Sequence, residues 1–330
     1  MPASAVLGWG RHLPERVVTN DDLATELRTP AAAIAAASGI ERRHYAVPGV
    51  GPSDLGKIAA EQALAAAGLT ADDVDLIVFA TMTPDIPFPG SGCFLQHKLG
   101  CRTVGALDIR GQCAGFLLGL AVADRFVRAE AASRVLVVGG EIHSSALDHS
   151  PKGAAVTPLF GDGAGAAVVG AAGSPGILAT VLHSDPTGLE RFWCEFPASR
   201  HFPARMDLEQ LKAGRHYYVV DPVALAEQAC RSLVAVMGEV LTRAGVNAAD
   251  VALFVMHYLD PRIARRAAAT AGVQSDRVVA TAEAAGHVAA AGIPVAVADA
   301  LAAGRVRRGD LVCCVAFGAG LSWAGAVLRL

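Results

Sequence analysis

At 330 residues the chain is long enough to bury a large core and to hold two domains or two halves of one. Its net charge of −3, with 18% charged residues and no Lys/Arg run, excludes a nucleic-acid or membrane-surface binder of the basic kind. Richness in Ala, Gly and Val with 5% aromatics suits an α/β protein with much buried surface.

The opening residues lack a basic segment followed by an apolar core, so no signal peptide is expected. Asp21 and Asp22 after Thr19 read as the cap of a first helix. Leu55–Ala67 has helical periodicity, and Leu76–Ala80 is a short apolar run expected as a strand. Ala106–Ile109 is a further strand, followed by a Gly-containing turn and a helix over Gly115–Ala129. Strands are then expected at Val135–Val138 and Ala166–Val169. The segment Asp185–Met206 is polar, contains Pro, and carries Phe192, Trp193, Phe196 and Phe202, as a lid or a tunnel lining would. A helix over Pro222–Ala244 and strands at Leu253–Met256 and Leu311–Val315 complete the pattern. Buried runs alternating with helices predict mixed or parallel sheets covered on both faces, an α/β fold. The apolar runs at Val135–Gly140 and Leu311–Gly318 are too short to span a bilayer.

The chain also repeats itself. AAGLTADDVDLIVF within Ala59–Ala80 returns as RAGVNAADVALFVM within Met237–His257. RVLVVGG is echoed by DLVCCVAFG, and GDGAGAAVVG by FGAGLSWAGAVL, in the same order. Two duplicated α/β halves follow, joined near residues 171–180 and divided as 1–175 and 176–330.

The seven cysteines are scattered without metal-like pairs, so a reduced, cytoplasmic protein is the expectation, with no metal site and no tightly bound cofactor. Cys113 stands apart. It lies just past an apolar strand, a Gly111 turn and the start of a helix, where free N–H groups and the helix dipole favour thiolate. A tight strand–turn–helix also exposes a side chain at the end of a sheet, as a nucleophile elbow does. Read alone, this context belongs to a packing cysteine more often than to a nucleophile. Cys93, Cys101, Cys194, Cys230, Cys313 and Cys314 lack it and read as packing residues. Glu141 and His143 follow a buried strand and read as structural or substrate-loop residues, and Asp162 as the brace of a turn.

DIRGQCAGF resembles the nucleophile motif of β-ketoacyl-ACP synthase III and related thiolase-fold condensing enzymes. LPERVVTNDDLA, SGIERRHYA, TPDIPFPGSGCFLQHKLG, LFGDGAGAAVV, GIPVAVADAL and FGAGLSW resemble further landmarks of that family, in its order. The resemblance implies a thiolase-like fold: two βαβαβαββ-type halves in a five-layered α-β-α-β-α sandwich, forming a homodimer. It implies ping-pong chemistry, in which an acyl group is loaded on Cys113 and a malonyl-type thioester then condenses with it by decarboxylation. Catalytic roles fall on Cys113, His257 and His287, and the oxyanion hole on the N–H groups of Cys113 and Ala319. Arg262, Phe192 and Trp193 are the expected substrate-binding residues. Acyl-CoA or an acyl carrier protein would supply the thioesters.

Three departures from the family qualify this. The residues after His257 read Tyr258–Leu259–Asp260 instead of the usual Gln-Ala-Asn. His287 replaces the usual Asn, as in elongating condensing enzymes with a Cys-His-His set; an imidazole donates only in the right tautomer. Ala33 and Ala37 stand where a Trp and an Arg clamp CoA, which favours a carrier-protein donor and a role in specialised metabolism, fatty-acid-like or polyketide. The alternative function is a non-condensing acyltransferase that passes the acyl group to an alcohol or amine with His257 as base. A non-catalytic partner subunit is disfavoured by retention of Cys113 and His257.

Overall fold

The computed structural model describes residues 3–330. In the first half, strands β1 (Ala3–His12), β2 (Leu76–Ala80), β3 (Gly105–Ile109), β4 (Arg134–Glu141) and β5 (Gly163–Ala172) form one sheet. In the second, β6 (Ile177–Ser184), β7 (Val251–His257), β8 (Val278–Ala280), β9 (Leu311–Gly318) and β10 (Ser322–Arg329) form another. The first sheet runs β1-β5-β4-β2-β3 and the second β6-β10-β9-β7-β8, the same order five strands on. Pairing direction repeats as well: antiparallel, antiparallel, parallel, parallel across each sheet.

The repeated sequence makes repeated local structure. Helix Pro52–Ala67 begins with Pro in its first turn and stops at Gly68, whose φ of 67° suits a left-handed cap. A 3-10 turn at Ala71–Asp73 then leads into β2. Helix Pro222–Ala244 likewise starts at a Pro, stops at Gly245 with φ 65°, and reaches β7 through a 3-10 turn at Ala248–Asp250.

Helices Gly115–Arg128 and Gly292–Ala302 lie between the two sheets. Pro52–Ala67 and Ser91–Leu99 cover the outer face of the first sheet, and Pro222–Ala244 and Pro261–Thr270 that of the second. The result is the five-layered α-β-α-β-α sandwich of the thiolase fold. Its central sheet residues, such as Phe79, Val137, Phe254 and Val312, are fully buried, each contributing about 1.5–3 kcal/mol for a side chain of that size.

The expected strands and helices are all present, mostly longer by a few residues. Not foreseen were β1, β6, β8 and β10, of which β8 has three residues and β1 and β10 are interrupted by Gly. The Thr19–Asp22 capping box forms as expected. Asp162 does more than brace a turn: its buried carboxylate accepts from the backbone N–H groups of Ala46 and Ser144 and from the Ser144 hydroxyl. Cys93 and Cys194 are exposed, so the packing role expected for all six other cysteines does not hold for these two. Among the described residues no helix is both long and apolar enough to cross a membrane.

Candidate active site

The two halves place equivalent turns head to head. After β3, residues Gln112–Ala114 form a 3-10 turn leading into helix Gly115–Arg128. In the second half, after β8, residues Ala289–Ala291 form the matching turn into Gly292–Ala302. Each turn begins with a non-glycine residue in the left-handed region, Gln112 at φ 45° and Ala289 at φ 37°. Such strain persists only where the surroundings over-determine it, and it clusters at functional sites. In the first half it turns Cys113 toward the second sheet, where Gly318 leaves room. A Cβ on Gly318 would sit 2.3 Å from the Cys113 sulfur.

Around that sulfur the chain gathers two imidazoles. Nε2 of His287 lies 3.2 Å from Cys113 Sγ. The His257 ring stacks on that of His287, centroids 4.6 Å apart and 18° from parallel. One donor atom each from Cys113, His257 and His287 all fall within 4.8 Å of one another. The three side chains are at most 1% exposed. His257 comes from the last position of β7, and His287 from the loop after β8.

The backbone holds that loop rigidly. The His287 N–H donates to the Leu159 carbonyl at 2.7 Å, and the His287 carbonyl accepts from Gly161 N–H at 3.1 Å, tying the second half to the first at the site. His257 is fixed through Nδ1, 2.5 Å from the Thr281 hydroxyl, leaving Nε2 buried without a partner among the described residues. A hydroxyl both donates and accepts, so Thr281 supports either tautomer of His257.

Burial disfavours charge on each of the three side chains. Burial pushes the Cys113 thiol up to about 12, opposed by the Ala319 N–H facing it and reinforced by the Glu141 carboxylate. Burial therefore outweighs the lowering expected from a helix start. Burial also lowers His257 to about 3, and lowers His287 well below the usual imidazole range, with His257 and His143 adding to the effect and the Tyr258 carbonyl opposing it.

A third imidazole was under-weighted by the sequence. His143 is fully buried and stacks near His287 at 6.2 Å, and its Nδ1 lies 3.1 Å from the Tyr218 hydroxyl. Phe160 touches both histidines, with ring centroids 5.0 Å from His143 and 5.4 Å from His287. Glu141 sits behind them, its carboxylate held by Thr81, Met82 and Thr83 and raised by burial to about 7. Thr281, Phe160 and Tyr218 had no local signal, because their partners lie 17 to 127 residues away along the chain. A His two residues past a buried strand was the available clue to His143.

The expected substrate residues distribute differently. Phe192 is buried and packs on Phe160, 6.3 Å between centroids, one ring removed from His287. Trp193 pairs with Val219 and lies under the Arg200 guanidinium. Of the surrounding loop, Phe196 is buried and Phe202 is exposed. Arg262 is at the surface. Its guanidinium binds the Asp260 carboxylate and the carbonyls of Ala36 and Ala37. Ala33 and Ala37 are exposed on the neighbouring helix Ala31–Ser38.

Duplicated halves meeting at a buried cysteine and two imidazoles define a thiolase-fold condensing enzyme. Comparison with known proteins agrees. Residues 107–186 match the 3-oxoacyl-[acyl-carrier-protein] synthase III family and residues 241–330 its C-terminal family. The β-ketoacyl-[acyl-carrier-protein] synthase III of Methylococcus capsulatus is 37% identical over 326 residues, covering 99% of this chain and 98% of that protein. The crystal structure of 3-oxoacyl-[acyl-carrier-protein] synthase III from Aquifex aeolicus superposes with a TM-score of 0.89 at 32% identity, covering 99% of this chain and all of that one. The priming β-ketosynthase of the R1128 polyketide pathway superposes with a TM-score of 0.91 at 31% identity, covering all of this chain and 96% of that one. The chain belongs to the β-ketoacyl-ACP synthase III family.

Proposed function

We propose that the enzyme loads an acyl group on Cys113 and condenses it with a malonyl-type thioester by decarboxylation. The observation that carries this is the contact between Cys113 Sγ and His287 Nε2, with His257 stacked behind. In the first half-reaction the thiol attacks the acyl thioester as its proton passes to His287 Nε2. The resulting oxyanion is received by the N–H groups of Cys113 and Ala319. The leaving thiol takes the proton back, and the site returns to neutrality with the acyl group in thioester linkage.

In the second half-reaction His257 and His287 donate to the carbonyl oxygen of the malonyl thioester, His287 after its ring proton has moved from Nδ1 to Nε2 by exchange with solvent. Loss of carbon dioxide leaves an enolate there, and its carbon attacks the acyl-cysteine. The β-ketoacyl thioester departs and Cys113 takes up one proton. Neutral imidazoles suit this step, since each can donate to a developing oxyanion without burying a charge beforehand.

The acyl donor in this reading is an acyl carrier protein. Ala33 and Ala37 offer no stacking or cationic clamp to CoA, and Arg262 is engaged by Asp260 and two carbonyls. Similarity to a polyketide priming ketosynthase supports a place in specialised metabolism. A cytoplasmic homodimer completes the proposal. Edge strand β3 is largely exposed, Leu107 included, and so are Ile86 and Phe88, apolar surface that a second copy would cover.

Intact-mass spectrometry of enzyme treated with an acyl carrier-protein thioester tests the reading. One acyl adduct per chain is expected, absent in Cys113→Ala and converted to a β-ketoacyl product on adding malonyl carrier protein. No adduct, or an adduct discharged only to an alcohol or amine, overturns it.

A further inference from the structure

Cys113, His257 and His287 come from three separate segments and bring one sulfur and two nitrogens within 4.8 Å of one another. We propose that this trio is a site for a soft divalent cation, with Zn2+ as the occupant, and that its filling switches the enzyme off. A thiolate and two imidazoles are a donor set that binds Zn2+ with one position left open for water.

The Cys113–His287 spacing already fits, and the widest spacing in the trio, up to 4.8 Å, closes by about 1 Å on binding. Zn–S near 2.3 Å and Zn–N near 2.0–2.1 Å at tetrahedral angles place neighbouring S and N donors about 3.5 Å apart. Cys113 Sγ and His287 Nε2 are 3.2 Å apart as they stand. Nε2 of His257 is fully buried and has no hydrogen-bond partner among the described residues. When its Nδ1–H donates to Thr281, the Nε2 lone pair is available to a metal, and the hydroxyl fixes the ring as second-shell partners of metal-ligating histidines do. Hard cations such as Mg2+ are excluded by the lack of oxygen donors in the trio.

Binding converts the thiol to a metal-bound thiolate and releases one proton to solvent, with no redox change. The sulfur's lone pair is then committed to the metal, so acyl transfer and alkylation stop together. His287 is the residue that makes the difference. An amide at that position would leave two soft donors, a much weaker site.

The inference concerns metal binding and does not require the proposed acyl chemistry. It is tested with Co2+ as the spectroscopic probe and Zn2+ by calorimetry, in a Cys93→Ser/Cys194→Ser background that removes the exposed thiols. The expected result is one Co2+ per chain with a thiolate charge-transfer band, displaced by Zn2+, and protection of Cys113 from iodoacetamide by Zn2+. Cys113→Ser, His257→Asn and His287→Asn should each weaken Zn2+ binding by at least about tenfold and shift the Co2+ spectrum. Absence of the band in the parent overturns the proposal. So does undiminished affinity in any one of the three variants that circular dichroism shows to be folded.

Discussion

Thr281→Val probes the arrangement at its least obvious point. The substitution keeps the side-chain shape and removes only the hydroxyl that lies 2.5 Å from His257 Nδ1. His257 is fully buried, so the abandoned nitrogen has no water to turn to. Leaving a buried polar group unsatisfied costs about 1–3 kcal/mol. If that cost falls on the orientation of the ring, the condensation step slows by roughly 5- to 150-fold, since about 1.4 kcal/mol is tenfold. Acylation depends on the contact between Cys113 and His287, which Thr281 does not touch, so its rate should stay within about threefold. Rapid-quench mass spectrometry of adduct formation, beside product formation from malonyl carrier protein, separates the two rates. Thr281→Ser restores the hydroxyl and should restore condensation. Equal losses in both steps, or a serine variant as slow as the valine, would refute the assignment of Thr281 as the positioning residue of His257.

Gly318→Ala places a methyl 2.3 Å from the Cys113 sulfur and 2.5 Å from its Cβ, so the nucleophile must shift by about 1 Å. Acylation should fall by roughly 100-fold while Tm drops only modestly; an acylation rate near the parent's would contradict the packing at the elbow. Arg43→Met removes the fully buried guanidinium that donates to Asn20 Oδ1 and to the carbonyls of Val18 and Pro158. Urea unfolding should show a loss on the order of 3 kcal/mol, and a loss under about 1 would show that these bonds contribute little.

Stability should also depend on pH. His143, His257 and His287 are buried neutral with folded values lowered, two of them to about 3, against about 6.5 unfolded. Below pH 6.5 the unfolded chain therefore binds protons that the folded chain refuses, and stability falls as pH falls toward 3. Glu141, raised to about 7, acts in the opposite direction between about 4.5 and 7, offsetting one of the three histidines. The decline should therefore steepen below about pH 4.5, which urea titrations at stepped pH would reveal. A stability that stays flat from pH 6.5 to 4 would contradict neutral burial of the histidines.

Much of the fold was legible because the two halves share one grammar of helix, glycine stop, acidic turn and apolar strand. Of the strands that escaped notice, β1 and β10 interleave Gly and Ala with larger residues and β8 is three residues long, so their alternation carries little apolar contrast; β6, Ile177–Ser184, has an apolar run of its own. Cys113, His257 and His287 were named from motifs, and the chain brings all three together. Their neutrality was not legible. The helix-start position of Cys113 predicted a favoured thiolate, whereas burial by the second sheet, which only the folded chain supplies, raises the thiol instead. His143 was visible as a His just past a buried strand, but its stacking on His287 and its Tyr218 partner, 75 residues away in sequence, had no local pattern.

The central claim is that acyl discharge from Cys113 is coupled to decarboxylation. It is tested most directly by measuring carbon dioxide released against acyl-enzyme consumed when purified acyl-enzyme meets malonyl carrier protein. The arrangement of Cys113, His257 and His287 predicts one carbon dioxide for each acyl group leaving the cysteine. Discharge of the acyl group with no carbon dioxide, or carbon dioxide with the acyl group still on Cys113, would contradict it.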